Sequence, residues 1–142
     1  MKRRNIIYWT ATGFVTLVLG ISGALAALHA PPMMKALNHL GYPMYFANIL
    51  ALGKIAGLAV LLSPRMPRLK EWAYAGFTIT ILSACYSHFS SGDGWLAAEP
   101  LLTIVALMLS YAYRPASRRL PEAMGLGGMN FFPQHTVTEE AK

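Results

Sequence analysis

The stretch MYFANILALGKIAGLAVLL, residues 44–62, decides the fold of this chain. As a helix it would be about 28 Å long, close to the ~30 Å hydrocarbon thickness of a bilayer. It contains one charged residue, Lys54, near its middle. Inserting a central lysine costs about 2.5 to 3.5 kcal/mol, which the Phe, Ile, Leu and Val residues of the run offset by about 4 kcal/mol. The stretch is therefore predicted to span a membrane.

Lys54 is the first candidate for a polar site inside the membrane. Ionisable groups at this depth normally face other protein or a wet cavity rather than lipid. The alternative is a side chain that extends to the lipid headgroups and binds nothing. Gly53 and Gly57 lie beside the lysine in a G-x-x-x-G spacing, which predicts close contact with a neighbouring helix.

The composition of the whole chain is that of a membrane protein. Of its 142 residues, 55% are hydrophobic and only 13% are charged, which is unusual for a soluble domain. A single cysteine, Cys85, excludes an intrachain disulfide and a CxxC redox pair. The net charge of +6 arises from basic residues just outside the apolar runs. It therefore indicates membrane topology and not nucleic-acid binding.

Three further apolar runs predict three further spanning helices. The predicted fold is an all-α bundle of four transmembrane helices in one domain, residues 1–113, with helices at about 6–28, 44–62, 72–89 and 95–113. A cleaved signal peptide is the alternative for the first run, because Ala24-Leu25-Ala26 resembles a cleavage site. Residues 114–142 are predicted to form a disordered cytoplasmic tail.

The basic residues predict the orientation of these helices. Those on one side of the predicted spans are Lys2, Arg3, Arg4, Arg65, Arg68, Lys70, Arg114, Arg118 and Arg119. The short loops on the other side contain Lys35 and Asp93. Because an excess of Lys and Arg marks cytoplasmic loops, both termini are predicted to be cytoplasmic.

Polar residues in the last two helices extend the candidate site around Lys54. His88 ends the third predicted helix and Glu99 lies one turn inside the fourth, so both are predicted near Lys54 in the outer half of the membrane. With Tyr42 and Tyr74 as lesser candidates, they predict a pocket that opens outward. Two alternatives stay open: His88 as an ordinary interfacial histidine, and a structural ion pair between Lys54 and Glu99 without a ligand.

Five short motifs follow one another along the chain: HLGYP at 39–43, LGKIAG at 52–57, PRLKEWAYAG at 67–76, SH at 87–88 and GD at 92–93. Together they resemble the DoxX-like family of small bacterial four-helix membrane proteins, over roughly residues 5–114. The family-like positions are Gly41, Tyr42, Pro43, Lys54, Gly57, Glu71, Tyr74, Gly76, His88 and Asp93. Glu99 has no place in this pattern. The resemblance implies a location in the bacterial inner membrane.

The resemblance also implies proximity to redox chemistry. The family name derives from membrane subunits linked to terminal quinol oxidase and to thiosulfate:quinone oxidoreductase, so the implied cofactor is a quinone and the implied partner is a membrane redox protein. No metal is predicted, because the histidines at 29, 39, 88 and 135 are scattered along the chain. For the same reason the chain is not expected to be catalytic alone.

Three functions are consistent with these observations. The preferred one is an accessory membrane subunit that binds a quinone, or another amphipathic ligand, beside a redox protein. The second is a small transporter, since buried charges also mark ion paths. The chain is small for this function and lacks paired broken helices, although a homo-oligomer would compensate. The third is a membrane assembly or interaction protein without a ligand.

Overall fold

The computed structural model describes residues 2–120, and the regular secondary structure of this part of the chain is all helical. Its five α-helices are α1 (Lys2–Ala27), α2 (Pro31–His39), α3 (Phe46–Leu62), α4 (Pro67–Ser90) and α5 (Ala98–Ala112), with short 3-10 helices at Gly94–Ala97 and Ala116–Arg118. The predicted all-α class is confirmed. Most of the predicted tail lies outside the described residues.

The four long helices pack side by side as a bundle. α1 contacts α3 and α5, and α4 contacts the same two helices. The order around the bundle is therefore α1, α3, α4, α5. The short helix α2 packs against α1 at one end. We call the end that carries α2 and the turn at 91–94 the α2 end, and the opposite end the Arg114 end.

Prolines begin two of the helices, at positions where the sequence did not predict a helix to start. A proline in the first helical turn lacks only an N–H that would have no helical partner there. Accordingly α4 begins at Pro67 rather than at residue 72, directly after Met66 in a left-handed conformation with φ 70°. In the same way, the predicted loop at 29–43 contains α2, which begins at Pro31.

The apolar core lies in the middle of the bundle, and Gly57 lets α3 and α4 approach each other closely there. The buried apolar side chains there include Val15, Leu19, Leu58, Leu61, Phe77, Ile81 and Leu107. A Cβ atom on Gly57 would lie 2.5 Å from Cζ of Phe77, so only glycine lets that ring pack against α3. A Cβ on Gly53, by contrast, would meet no atom within 4 Å. One glycine of the G-x-x-x-G pair therefore makes the close contact.

The outside of the bundle is extensively apolar. Two segments, Lys2–Ala27 and Gly94–Ala112, are long and apolar enough to cross a membrane, and α3 is a shorter apolar helix of 17 residues. α4 has 24 residues but more polar side chains. Each long helix exposes large apolar residues, for example Leu17, Leu52, Ile79 and Leu102. Apolar surface on this scale is typical of a protein in contact with lipid or with other protein.

Candidate ligand-binding site

A cavity of about 380 Å³ lies inside the bundle at the α2 end. All five helices contribute to its wall, which is mainly apolar, with residues such as Val18, Leu37, Leu50 and Ile81. Four of the five predicted site residues also line it: Tyr42, Lys54, His88 and Glu99. An apolar cavity of this size with a few convergent polar groups is typical of a small-molecule site.

Lys54 lies at the contact between α1 and α3. A Cβ atom on Gly23 would be 3.1 Å from Cβ of Lys54, so glycine at this position of α1 makes room for the lysine. Lys54 Nζ donates a hydrogen bond to Ser22 Oγ at 2.8 Å. An ammonium group carries three N–H donors, and within residues 2–120 Ser22 is its hydrogen-bond acceptor. The ammonium can therefore donate further hydrogen bonds to a ligand.

Glu99 also lines this cavity. Its Oε1 accepts a hydrogen bond from Thr103 Oγ1 at 3.2 Å, and the same hydroxyl lies 3.0 Å from the backbone oxygen of Glu99. Within residues 2–120 it forms no direct ion pair with Lys54, although both line the cavity. The two opposite charges thus flank the space instead of neutralising each other in contact.

His88 is held by Asp93, in the turn after α4. The carboxylate accepts hydrogen bonds from His88 Nδ1 at 2.7 Å and from His39 Nε2 at 2.6 Å, and the Asp93 side chain is only 9% exposed. These hydrogen bonds, first that of His39 and then that of His88, hold the pKa of Asp93 below its ordinary value. Since Nδ1 of His88 donates to Asp93, Nε2 is left for a ligand. It accepts a hydrogen bond in neutral imidazole and donates one in imidazolium.

Neither Asp93 nor His39 was among the predicted site residues. Asp93 contributed to the predicted orientation and to the family-like positions, and no chemistry was predicted for His39. Both occur in the family-like motifs GD and HLGYP, but 54 positions separate them. No short-range spacing indicates that they meet. Among residues 2–120, no group of three or more His, Cys, Asp or Glu side chains is placed to hold a metal ion.

Tyr42 ties the segment after α2 to α4. Its hydroxyl lies 2.7 Å from Ser87 Oγ, and it is the donor because Ser87 itself donates to the backbone oxygen of Ser83 at 2.8 Å. Its ring stacks on Phe46 with centroids 4.7 Å apart. Together with the bond between His39 and Asp93, this contact holds α2 over the end of the cavity.

Tyr74, the fifth predicted site residue, does not line the cavity. It is buried toward the Arg114 end, where its hydroxyl and Ser110 Oγ share a hydrogen bond of 2.7 Å. Ser110 Oγ lies at the same distance from Thr12 Oγ1, which links α4, α5 and α1. The structure therefore places Tyr74 in a buried polar network that joins α4, α5 and α1.

A dense cluster of paired charges closes the Arg114 end. Arg114 Nη1 lies 2.8 Å from Glu71 Oε1, and Tyr111 donates a hydrogen bond to Glu71 Oε2 at 2.9 Å. The guanidinium of Arg114 also lies over the rings of Tyr111 and Tyr74, at 4.0 and 4.9 Å from the centroids. Cations bind well to aromatic faces when they are shielded from water. These contacts fix the start of α4 against the end of α5.

Lys70 and Arg118 bind the last carbonyls of α3. Lys70 is 1% exposed, and its Nζ donates to the backbone oxygens of Val60 at 2.7 Å, Leu61 at 3.1 Å and Ser63. Arg118 donates to the oxygens of Leu61 and Ser63 as well. The last carbonyls of a helix lack helical partners, so these cations complete the end of α3. The packed structure thus continues beyond residue 113.

Comparison with protein families finds the DoxX-like family over residues 10–113. The resemblance predicted from the motifs is confirmed. The matched range contains every residue that lines the cavity. Comparisons with curated proteins and with solved structures found no match.

Proposed function

Since this chain belongs to the DoxX-like family of membrane proteins, we propose that it is an integral membrane protein that binds an amphipathic ligand in the cavity at the α2 end. The ligand has a polar head with acceptor oxygens, as in a quinone or a lipid headgroup. The chain acts as an accessory subunit beside a separate redox protein. The observation that carries the proposal is an apolar cavity lined by Lys54 and His88.

The polar groups of the cavity suit an oxygen-rich head. The ammonium of Lys54 donates to a carbonyl or phosphate oxygen. Because Nδ1 of His88 donates to Asp93, Nε2 of His88 donates to such an oxygen in the imidazolium form and accepts from a hydroxyl group of the head in the neutral form. Glu99, which also lines the cavity, balances the positive charge. Apolar side chains cover the remaining wall and accommodate the apolar part of the ligand. Binding of this kind needs no catalytic group from the chain.

We further propose that all four long helices span the bacterial inner membrane with both termini in the cytoplasm. Two helical segments have the required length and hydropathy, and α3 and α4 present apolar faces beside them. Lys70, Arg114 and Arg118 gather at the Arg114 end. That end therefore carries the positive charge expected of the cytoplasmic side. Reaction of engineered cysteines in intact cells, at residue 91 and at residue 117, tests this orientation.

Ligand titration of the purified protein in detergent tests the binding function. A ubiquinone or menaquinone analogue should raise the thermal stability saturably, by roughly 2.7 kcal/mol at a hundredfold excess over Kd. The stabilisation by the ligand should be smaller in Lys54→Met and in His88→Ala than in wild type. Lys35→Met and His29→Ala are matched controls, because both residues are exposed and neither lines the cavity.

If the ligand stabilised all four variants equally, Lys54 and His88 would not belong to the binding site. The absence of any shift with quinones and lipids would favour an assembly or interaction protein. Co-purification in mild detergent, followed by mass spectrometry, identifies the redox partner and the oligomeric state. Flux of protons or ions into liposomes that contain the protein would favour the transporter.

A further inference from the structure

The cavity adjoins a groove on the outside of the bundle, between α3 and α4. The groove has a volume of about 440 Å³. Four residues line both spaces: Phe46, Leu50, Lys54 and Thr80. The boundary between cavity and groove is therefore made of side chains from the two helices, with Lys54 at the junction.

The groove is long and apolar. On α3 it extends from Phe46 to Val60, which is about 21 Å along the helix axis. Glycines at 53, 57 and 76 deepen it, and Trp72 stands at its far end. Among the residues that line the groove, Lys54 is charged and the others are uncharged. A space of this shape fits an extended hydrocarbon chain.

The α2 end of the cavity is covered. Met33, Ala36, Leu37 and Leu40 of the α2 segment form this part of its wall. The hydrogen bonds from His39 to Asp93 and from Tyr42 to Ser87 hold the segment against α4. These two bonds lie across a route from the aqueous side past α2, whereas between α3 and α4 the cavity and the groove share lining side chains.

We propose that the ligand is a membrane amphiphile with an extended apolar chain, which enters sideways from the bilayer between α3 and α4. Its head binds at Lys54, and its chain lies in the groove along α3. This inference rests on the proposed function and adds to it the chemical class of the ligand and the direction of entry. It differs from the outward-opening pocket predicted from the sequence.

Two glycines allow the groove to be filled without disturbing the bundle. A Cβ atom on Gly53 or on Gly76 would meet no atom within 4 Å, and both residues line the groove. Gly53→Leu and Gly76→Leu should therefore fold and occupy the space meant for the chain. Gly13→Leu is the matched control, since its Cβ also meets nothing and it lines neither space.

The probes are a ubiquinone analogue with a decyl tail and the same quinone head without a tail. A lysophospholipid and its glycerophosphate head form a second pair, which distinguishes a quinone from a lipid. For the tailed probe that binds, Gly53→Leu and Gly76→Leu should weaken binding on the order of tenfold. Binding of the tailless head should stay unchanged in all variants, and Gly13→Leu should match wild type with both probes.

Equal affinity of the tailed probe for Gly53→Leu, Gly76→Leu and Gly13→Leu would overturn the placement of the chain in the groove, and with it the argument for lateral entry, while leaving the cavity as a binding site. If no probe binds to wild type, the proposed function fails, and this inference fails with it. Thermal unfolding of the ligand-free variants confirms that each is folded. If one of the two groove variants does not fold, the other decides the question.

Discussion

The two ends of the bundle use buried charge in different ways. At the Arg114 end, Lys70 donates to three backbone carbonyls, and Arg114 meets Glu71 and two aromatic rings. At the α2 end, Lys54 has one serine partner and lies beside an open space. A buried charge that is paired as at the Arg114 end is costly to disrupt, because removing one partner leaves the other buried and uncompensated. A buried ammonium that lies beside a cavity and has N–H donors without protein partners is a candidate for ligand binding, because its protein contacts offset only part of the cost of desolvation.

The largest expected loss of stability comes from a substitution at the Arg114 end. Lys70→Met should destabilise the protein by about 2 to 4 kcal/mol, because it leaves carbonyls at the end of α3 without their donor. Arg118 still donates hydrogen bonds to two of these carbonyls, which limits the loss of stability. The free energy of unfolding in mixed micelles measures the effect. Lys35→Met, at an exposed position of α2, should be neutral, and equal stability of the two variants would contradict a structural role for Lys70.

A second prediction concerns the core between the two ends. Gly57→Ala should cost about 1 to 3 kcal/mol, because the new methyl group meets the ring of Phe77 at 2.5 Å. Gly53→Ala has open space and should be neutral or stabilising by up to about 1 kcal/mol, through helix propensity. Adding Phe77→Leu to Gly57→Ala should recover part of the loss. Equal unfolding energies for the two alanine variants would show that the helices adjust freely at Gly57.

The sequence predicts the bundle and the α2-end cavity better than it predicts the Arg114 end. Long apolar runs identify helices by their length. A charged residue inside such a run, such as Lys54, is visible in the sequence and indicates a polar site. The partners of Lys70 are backbone carbonyls, which every residue has, so no pattern of residue types marks them. The sequence also does not show that Tyr74 lies toward the Arg114 end. Its environment depends on which residues of α1 and α5 pack against it, and the sequence of α4 alone does not specify them.

The third prediction compares the two lysines directly. Lys54→Met should change the stability of the ligand-free protein little, or raise it slightly, because it removes a desolvated charge while Ser22 keeps its own bond to the backbone oxygen of Leu19. Lys54→Glu should give a much lower folding yield, since it places a second carboxylate beside the cavity that Glu99 lines. Yields and unfolding energies of both variants are measured with Lys70→Met as reference. Equal yields for Lys54→Met and Lys54→Glu would mean that Lys54 extends to the headgroups.

The smallest effect concerns the bonds that hold α2 over the cavity. The pKa of Asp93 is lowered in the folded state by hydrogen bonds from His39 and His88, so the ionised carboxylate favours folding. This contribution is fully present above the ordinary Asp pKa of about 3.9, and it is lost as the pH falls through the lower folded-state value. We expect a modest effect because His39 is 56% exposed. Unfolding midpoints from neutral pH down to about pH 3 should therefore converge for wild type and Asp93→Asn as acid is added. A constant difference over that range would mean that the carboxylate contributes nothing through these hydrogen bonds, and that packing alone keeps α2 in place.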